Sequence, residues 1–89
     1  MKRIYVRGFV DGKAMRYRIY DNSKDFKNNW DRGIGTYPDL RNCSEAISQM
    51  REPVQLIGFD ISGTNEEKIR QHRKHLAQVI EEHNSALRN

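Results

Sequence analysis

Between Lys2 and Tyr20, outward-type and apolar residues alternate almost without a break, and the alternation is interrupted once, at Asp11-Gly12. A period of two is the pleat of a β-strand, and Asp-Gly is favoured at the centre of a two-residue hairpin turn because that turn needs positive φ. The chain is therefore expected to open with a β-hairpin, its strands over about residues 2–10 and 13–20. Reversal at Asp11-Gly12 sets Arg3 opposite Tyr20, Tyr5 opposite Arg18, Arg7 opposite Arg16 and Phe9 opposite Ala14. Ile4, Val6, Gly8 and Val10 then share the other face with Ile19, Tyr17, Met15 and Lys13. One face is a core face, and the other is basic and aromatic.

Charge follows the same division. Residues 1–20 hold six Lys/Arg against Asp11 alone, a net +5 that exceeds the +4 of the whole chain. Residues 21–60 are slightly acidic and residues 61–89 nearly balanced. A localised basic patch favours encounter with polyanions. With 36% hydrophobic and 31% charged residues the chain is polar, yet its apolar residues are patterned, so we read a folded molecule with a small core. Eighty-nine residues make one domain, 1–89. Cys43 is the single cysteine, which excludes an intramolecular disulfide and suits a reducing, cytoplasmic setting. No apolar run has the length of a membrane span, and no signal-peptide pattern opens the chain.

Beyond the hairpin, Ser23 is a candidate N-cap for a short helix over 24–31, with Phe26 and Trp30 on one face and Gly33 as its stop. Asn28 and Asn29 weigh against that helix, since asparagine prefers caps and turns. Residues 33–40 read as a loop or short extended piece, under which Trp30, Phe26 and Tyr37 form a small aromatic cluster; exposed, that cluster would instead be an interface anchor. Asn42-x-x-Glu45 is a capping box for a helix over 43–51, with Leu40, Cys43, Ile47 and Met50 as its buried stripe. The continuous apolar run in residues 54–61 predicts a strand buried on both faces, hence central, with Ile57, Phe59 and Ile61 on one side and Leu56 on the other. Thr64-x-x-Glu67 is a second capping box, opening a long helix over 65–87 whose apolar stripe is Ile69, Leu76, Val79, Ile80 and Leu87. The expected fold is α+β in the order β-β-α-α-β-α, a three-stranded, largely antiparallel sheet with helices on one face. A long helix over a short sheet overhangs, which predicts self-association, a homodimer through Leu76, Ile80 and Leu87.

Four groups of residues carry candidate chemistry. On the hairpin face, Arg3, Tyr5, Arg7, Phe9, Arg16, Arg18 and Tyr20 suit nucleic acid or another anion. Guanidinium groups clamp phosphates, aromatic rings stack on bases, and an anion between Arg7 and Arg16 would relieve their repulsion. The bland alternative is a solvated sheet face with arginine stems lying over rings. Lys68, Arg70, Arg73 and Lys74 form a second basic surface near the start of the long helix, where positive charge opposes the helix dipole; its bland alternative is a solvated helix face. Asp60-Ile61-Ser62-Gly63-Thr64 resembles the phosphate-handling loop of the haloacid dehalogenase superfamily, Asp-x-Asp-Gly-Thr, with Ser62 in place of the second Asp. The resemblance implies a nucleophilic Asp60, but it spans five residues, and a Ser-Gly turn leading into a Thr64-capped helix accounts for the same letters. His72, His75 and His83 lack the cysteines or carboxylates that would complete a metal site, and Cys43 reads as a buried structural thiol.

With no nucleophile–base pair, metal set or cofactor fingerprint, the expected function is non-enzymatic. The first reading is a small module that binds nucleic acid or a nucleoprotein complex through the hairpin face. The second is a stoichiometric regulator or inhibitor of an acidic or nucleic-acid-binding protein, of the kind phages and mobile elements encode.

Overall fold

The computed structural model describes residues 1–88. Seven elements follow one another: β1 (Lys2–Asp11), β2 (Ala14–Tyr20), α1 (Ser23–Lys27), β3 (Gly35–Tyr37), α2 (Leu40–Ser48), β4 (Val54–Ile61) and α3 (Glu66–Arg88). The sheet has four strands in the order β3-β2-β1-β4. The β1–β2 and β2–β3 pairs are antiparallel, whereas β4 lies parallel to β1. The α+β class stands; the three-stranded, largely antiparallel sheet is corrected to a four-stranded mixed one. Two connections account for the difference. Gly35–Tyr37 pairs with the free side of β2, and the long crossover through α2 returns the chain alongside β1 in the same direction.

The hairpin turns one residue later than expected. Asp11 pairs with Ala14, Arg7 with Arg18 and Tyr5 with Tyr20. Gly12 takes φ +67°, and no neighbour in the turn does. A single positive φ at the first central position is the glycine place of a II′ hairpin turn, so Asp11 stays in the strand. The register therefore slips by two from the expected one, and the Arg7–Arg16 opposition is replaced by Arg7–Arg18. A slip of two preserves both faces, because side chains repeat every second residue.

The core lies between the sheet and two of the helices. Ile4, Val6, Tyr17 and Ile19 of the hairpin pack with Cys43 and Ile47 of α2, Val54, Phe59 and Ile61 of β4, and Leu76 and Ile80 of α3. Leu40, Met50 and Ile69 are partly buried against this cluster, so the stripe expected for α2 holds. Helix α1 covers the opposite sheet face, which corrects the expectation that all helices share one side. Leu76 and Ile80 are interior residues, at 0% and 6% exposure, so the pair expected to join two copies is consumed in the core. Leu87 is exposed.

β4 is an edge strand, not a central one. A bulge between its pairing with Ile4 and with Tyr5 inserts Ile57, which stands exposed, and returns Phe59 and Ile61 to the same face as Val54 and Leu56. The apolar run thus reflects a bulge and not burial on both faces. Each helix also starts on a different cap from the expected one. Asn22 accepts from the N–H of Asp25 at 2.8 Å, Asp39 from Asn42 at 2.7 Å, and Asn65 from Lys68 at 2.9 Å. Helix α1 stops early because Asn29 adopts φ +50°, a left-handed conformation that asparagine tolerates better than most residues. Among the described residues no helix is long and apolar enough to cross a membrane.

Candidate functional site

The seven hairpin residues remain on one face, but α1 occupies much of it. Phe26 sits over the sheet with its ring 5.4 Å from Tyr5 and 6.1 Å from Tyr20. Gly58 on β4 makes this approach possible, since a Cβ there would lie 2.9 Å from the Tyr5 ring and 3.0 Å from that of Phe26. Tyr20 is 1% exposed, and its hydroxyl donates to the carbonyl of Trp30. Tyr5 is half-buried. Tyr20 thus presents no free face for base stacking, and Phe26 takes up part of the Tyr5 ring.

Arg7 lies beneath the same helix. Its guanidinium donates to Asp60 Oδ2 at 2.8 Å and to the Phe26 carbonyl at 2.9 Å, and it stacks on the Phe26 ring at 4.6 Å. Its side chain is only 12% exposed, so this arginine ties α1 to β4. The other Asp60 oxygen accepts from the N–H of Ile61 at 2.9 Å. Arg18 stacks over Phe9 at 4.5 Å and donates to Thr36 Oγ1 and the Trp30 carbonyl, both at 3.1 Å. Arg16 stands 3.1 Å from Asp11, close enough for charge attraction, although its Nε makes no aligned hydrogen bond. Arg3 is exposed. The aromatic cluster expected under the 33–40 loop does not form. Phe26 packs with Tyr5 and Tyr20, while Trp30 lies beyond α1 and is 52% exposed.

The second basic surface has a different character. Lys68, Arg70, Arg73 and Lys74 are all exposed, and among the described residues none stands within ion-pair distance of a carboxylate. Arg70, Arg73 and Lys74, at i, i+3 and i+4, share one flank of α3. The parallel pairing of β1 with β4 brings the first half of α3 beside the turn end of the hairpin, and Tyr17 contacts His72 there, hydroxyl to Nδ1, at 2.8 Å. Partial burial, with Lys68 and His75 nearby, lowers the pKa of His72 below its ordinary value. Nearby positive charge thus already disfavours another cation in this region. Tyr17 is shifted the other way, raised first by burial.

The remaining candidates are structural in placement. Burial pushes the Cys43 thiol up to about 12, which leaves it neutral. His83 bonds to the Glu52 carbonyl at 3.1 Å, at the other end of α3 from His72. Among the described residues no group of three or more His, Cys, Asp and Glu side chains is placed to hold a metal ion. What sequence reasoning missed is the cover over the hairpin face. Its signal was the apolar Phe26 within a polar segment, together with Gly58 opposite Tyr5. In comparisons with known proteins, no family model, no curated protein and no solved structure matches the chain.

Proposed function

We propose that the protein is a non-enzymatic module that binds nucleic acid, or a nucleoprotein complex, with the basic first half of α3 as its main contact and the open part of the hairpin, Arg3, Phe9, Arg16 and Arg18, contributing beside it. One observation carries this reading. Among the described residues the four α3 cations are gathered in seven residues of one helix with no carboxylate partner, whereas on the hairpin Arg7 and Arg16 each have one and Lys2, Arg3, Lys13 and Arg18 do not. Positive charge gathered near a helix N-terminus opposes the macrodipole. Glu66 and Glu67 in the first turn offset only part of that charge. A bound phosphate backbone removes the remaining conflict and releases condensed counterions, so affinity rises as salt falls.

The test is equilibrium binding to a generic single-stranded oligonucleotide over a range of salt. A log–log slope of about −3 to −3.5, the value for four or five phosphate contacts, is expected. A slope near zero, or no binding at low salt, rejects the reading.

A second reading has its own support. Trp30, at 52% exposure, and Ile34, at 43%, flank the Arg18 contacts, and exposed aromatics beside arginine are typical anchors of protein interfaces. A regulator or inhibitor of a protein would use that patch. Capture from lysate after nuclease treatment separates the two: a partner lost with nuclease favours nucleic acid, and one that persists favours the protein-binding alternative.

A further inference from the structure

The free edge of β4 is closed at both ends and open between them. β4 pairs with β1 alone, so on either side of the Ile57 bulge alternate backbone groups point away from the sheet. At Val54 both such groups are taken by the Asn84 side chain. Its Oδ1 accepts from the Val54 N–H and its Nδ2 donates to the Val54 carbonyl, each at 2.8 Å. A carboxamide there stands in for the peptide group of an adjacent strand. At the far end the Ile61 N–H is taken by Asp60 Oδ1. Between those positions, the outward groups of β4 have no partner among the described residues.

At the Asn84-capped end of this stretch opens a groove of about 370 Å³, lined by Val54 and Leu56 of β4 and by Ala77, Ile80, Glu81 and Arg88 of α3. Ala77 is small and exposed, and Glu81 is exposed with no cation within ion-pair distance among the described residues. We propose that this edge and groove accept an extended peptide segment as a fifth strand. Its backbone would continue the ladder that Asn84 begins, an apolar side chain would sit over Leu56 and Ala77, and a neighbouring lysine or arginine would face Glu81. Strand addition to an exposed edge takes its affinity from main-chain bonds and its selectivity from such pockets.

Spacing favours a peptide over a second copy. Paired strands lie about 4.8 Å apart, whereas packed helices need about 8–10 Å. Helix α3 packs on β4 itself. Edge-to-edge pairing of two copies would force their α3 helices too close, and a bare strand carries no helix to collide.

The experiment titrates the whole protein with a blocked eight-residue peptide in which valine alternates with lysine and threonine, while backbone amide resonances are followed. Saturable shifts are expected at residues 55–59 and 77–81, with slowed hydrogen exchange along the β4 edge. Ala77→Trp, which fills the groove from an exposed helix position, is expected to weaken binding at least tenfold with Tm unchanged. Oligonucleotide binding through Lys68, Arg70, Arg73 and Lys74 is expected to be unaffected, so failure here leaves the reading of the α3 cations standing. The proposal is overturned by the absence of saturable shifts up to millimolar peptide, or by shifts centred on other elements. Equal affinity of the Ala77→Trp protein overturns it too, as do edge shifts that follow protein concentration, which would assign the edge to a second copy.

Discussion

Asn84 and His72 show how single side chains on α3 hold the sheet in place. Asn84 is 9% exposed and satisfies two backbone groups that nothing else reaches. Asn84→Ala orphans both, at a cost of about 1–3 kcal/mol for each buried group left unsatisfied. Urea unfolding is expected to show a loss of about 2 kcal/mol or more, and a loss below about 0.5 kcal/mol would mean that water replaces the amide without cost. His72 Nδ1 and the Tyr17 hydroxyl share a hydrogen bond, and the His72 pKa is lowered by burial first and then by Lys68 and His75. The unfolded chain therefore binds a proton at higher pH than the folded one does, and the contribution of this site is complete above the ordinary value of 6.5. Stability is lost as pH falls through the folded-state pKa. The Tm is expected to drop between pH 7.5 and pH 5, and His72→Gln is expected to flatten that drop; an identical drop in the variant would remove His72 as the cause.

At the scale of elements, α1 is short but decides which surface is available. Its five residues place one aromatic ring over Tyr5, Tyr20 and Arg7. Phe26→Ala is expected to destabilise the protein by about 2–3 kcal/mol, near the lower end of large-to-small losses because Phe26 is only half-buried. The same variant is expected to raise Tyr5 and Tyr20 exposure, read as increased quenching of tyrosine emission by acrylamide. Unchanged quenching would contradict the covering role. The two faces of the hairpin were legible in the sequence because alternation alone sets them. Register was not legible, because a slip of two leaves both faces alike and only the φ of Gly12 separates the alternatives. Three residues of β3 carry too little pattern to be read as a strand. In β4, one inserted residue at Ile57 breaks the alternation and imitates a strand buried on both sides. The α1 boundary turned on Asn29, whose left-handed conformation ends the helix before Trp30 can join its face.

For the molecule as a whole, the distribution of compensated and uncompensated charge matters more than net charge. The hairpin holds the sequence's basic excess, yet folding brings Asp60 onto Arg7 and Asp11 beside Arg16. Helix α3 is nearly neutral by count, but in its first half Lys68, Arg70, Arg73 and Lys74 outnumber Glu66 and Glu67, while in its second half Glu81 and Glu82 outnumber Arg88. A polyanion would therefore meet α3 first, with the hairpin as a flank. We therefore propose the secondary basic surface of the sequence as the main contact, since folding pairs Arg7 and Arg16 of the hairpin with carboxylates and leaves the α3 cations unpaired among the described residues. The direct measurement is the salt dependence of oligonucleotide binding for the native protein, for a variant with Lys68, Arg70, Arg73 and Lys74 changed to glutamine, and for a variant with Arg3, Arg16 and Arg18 so changed. The account predicts that the α3 variant reduces the slope magnitude by about 2 to 3 units while the hairpin variant reduces it by about 1 or less. An unchanged slope in the α3 variant, with the loss falling on the hairpin variant instead, would contradict it.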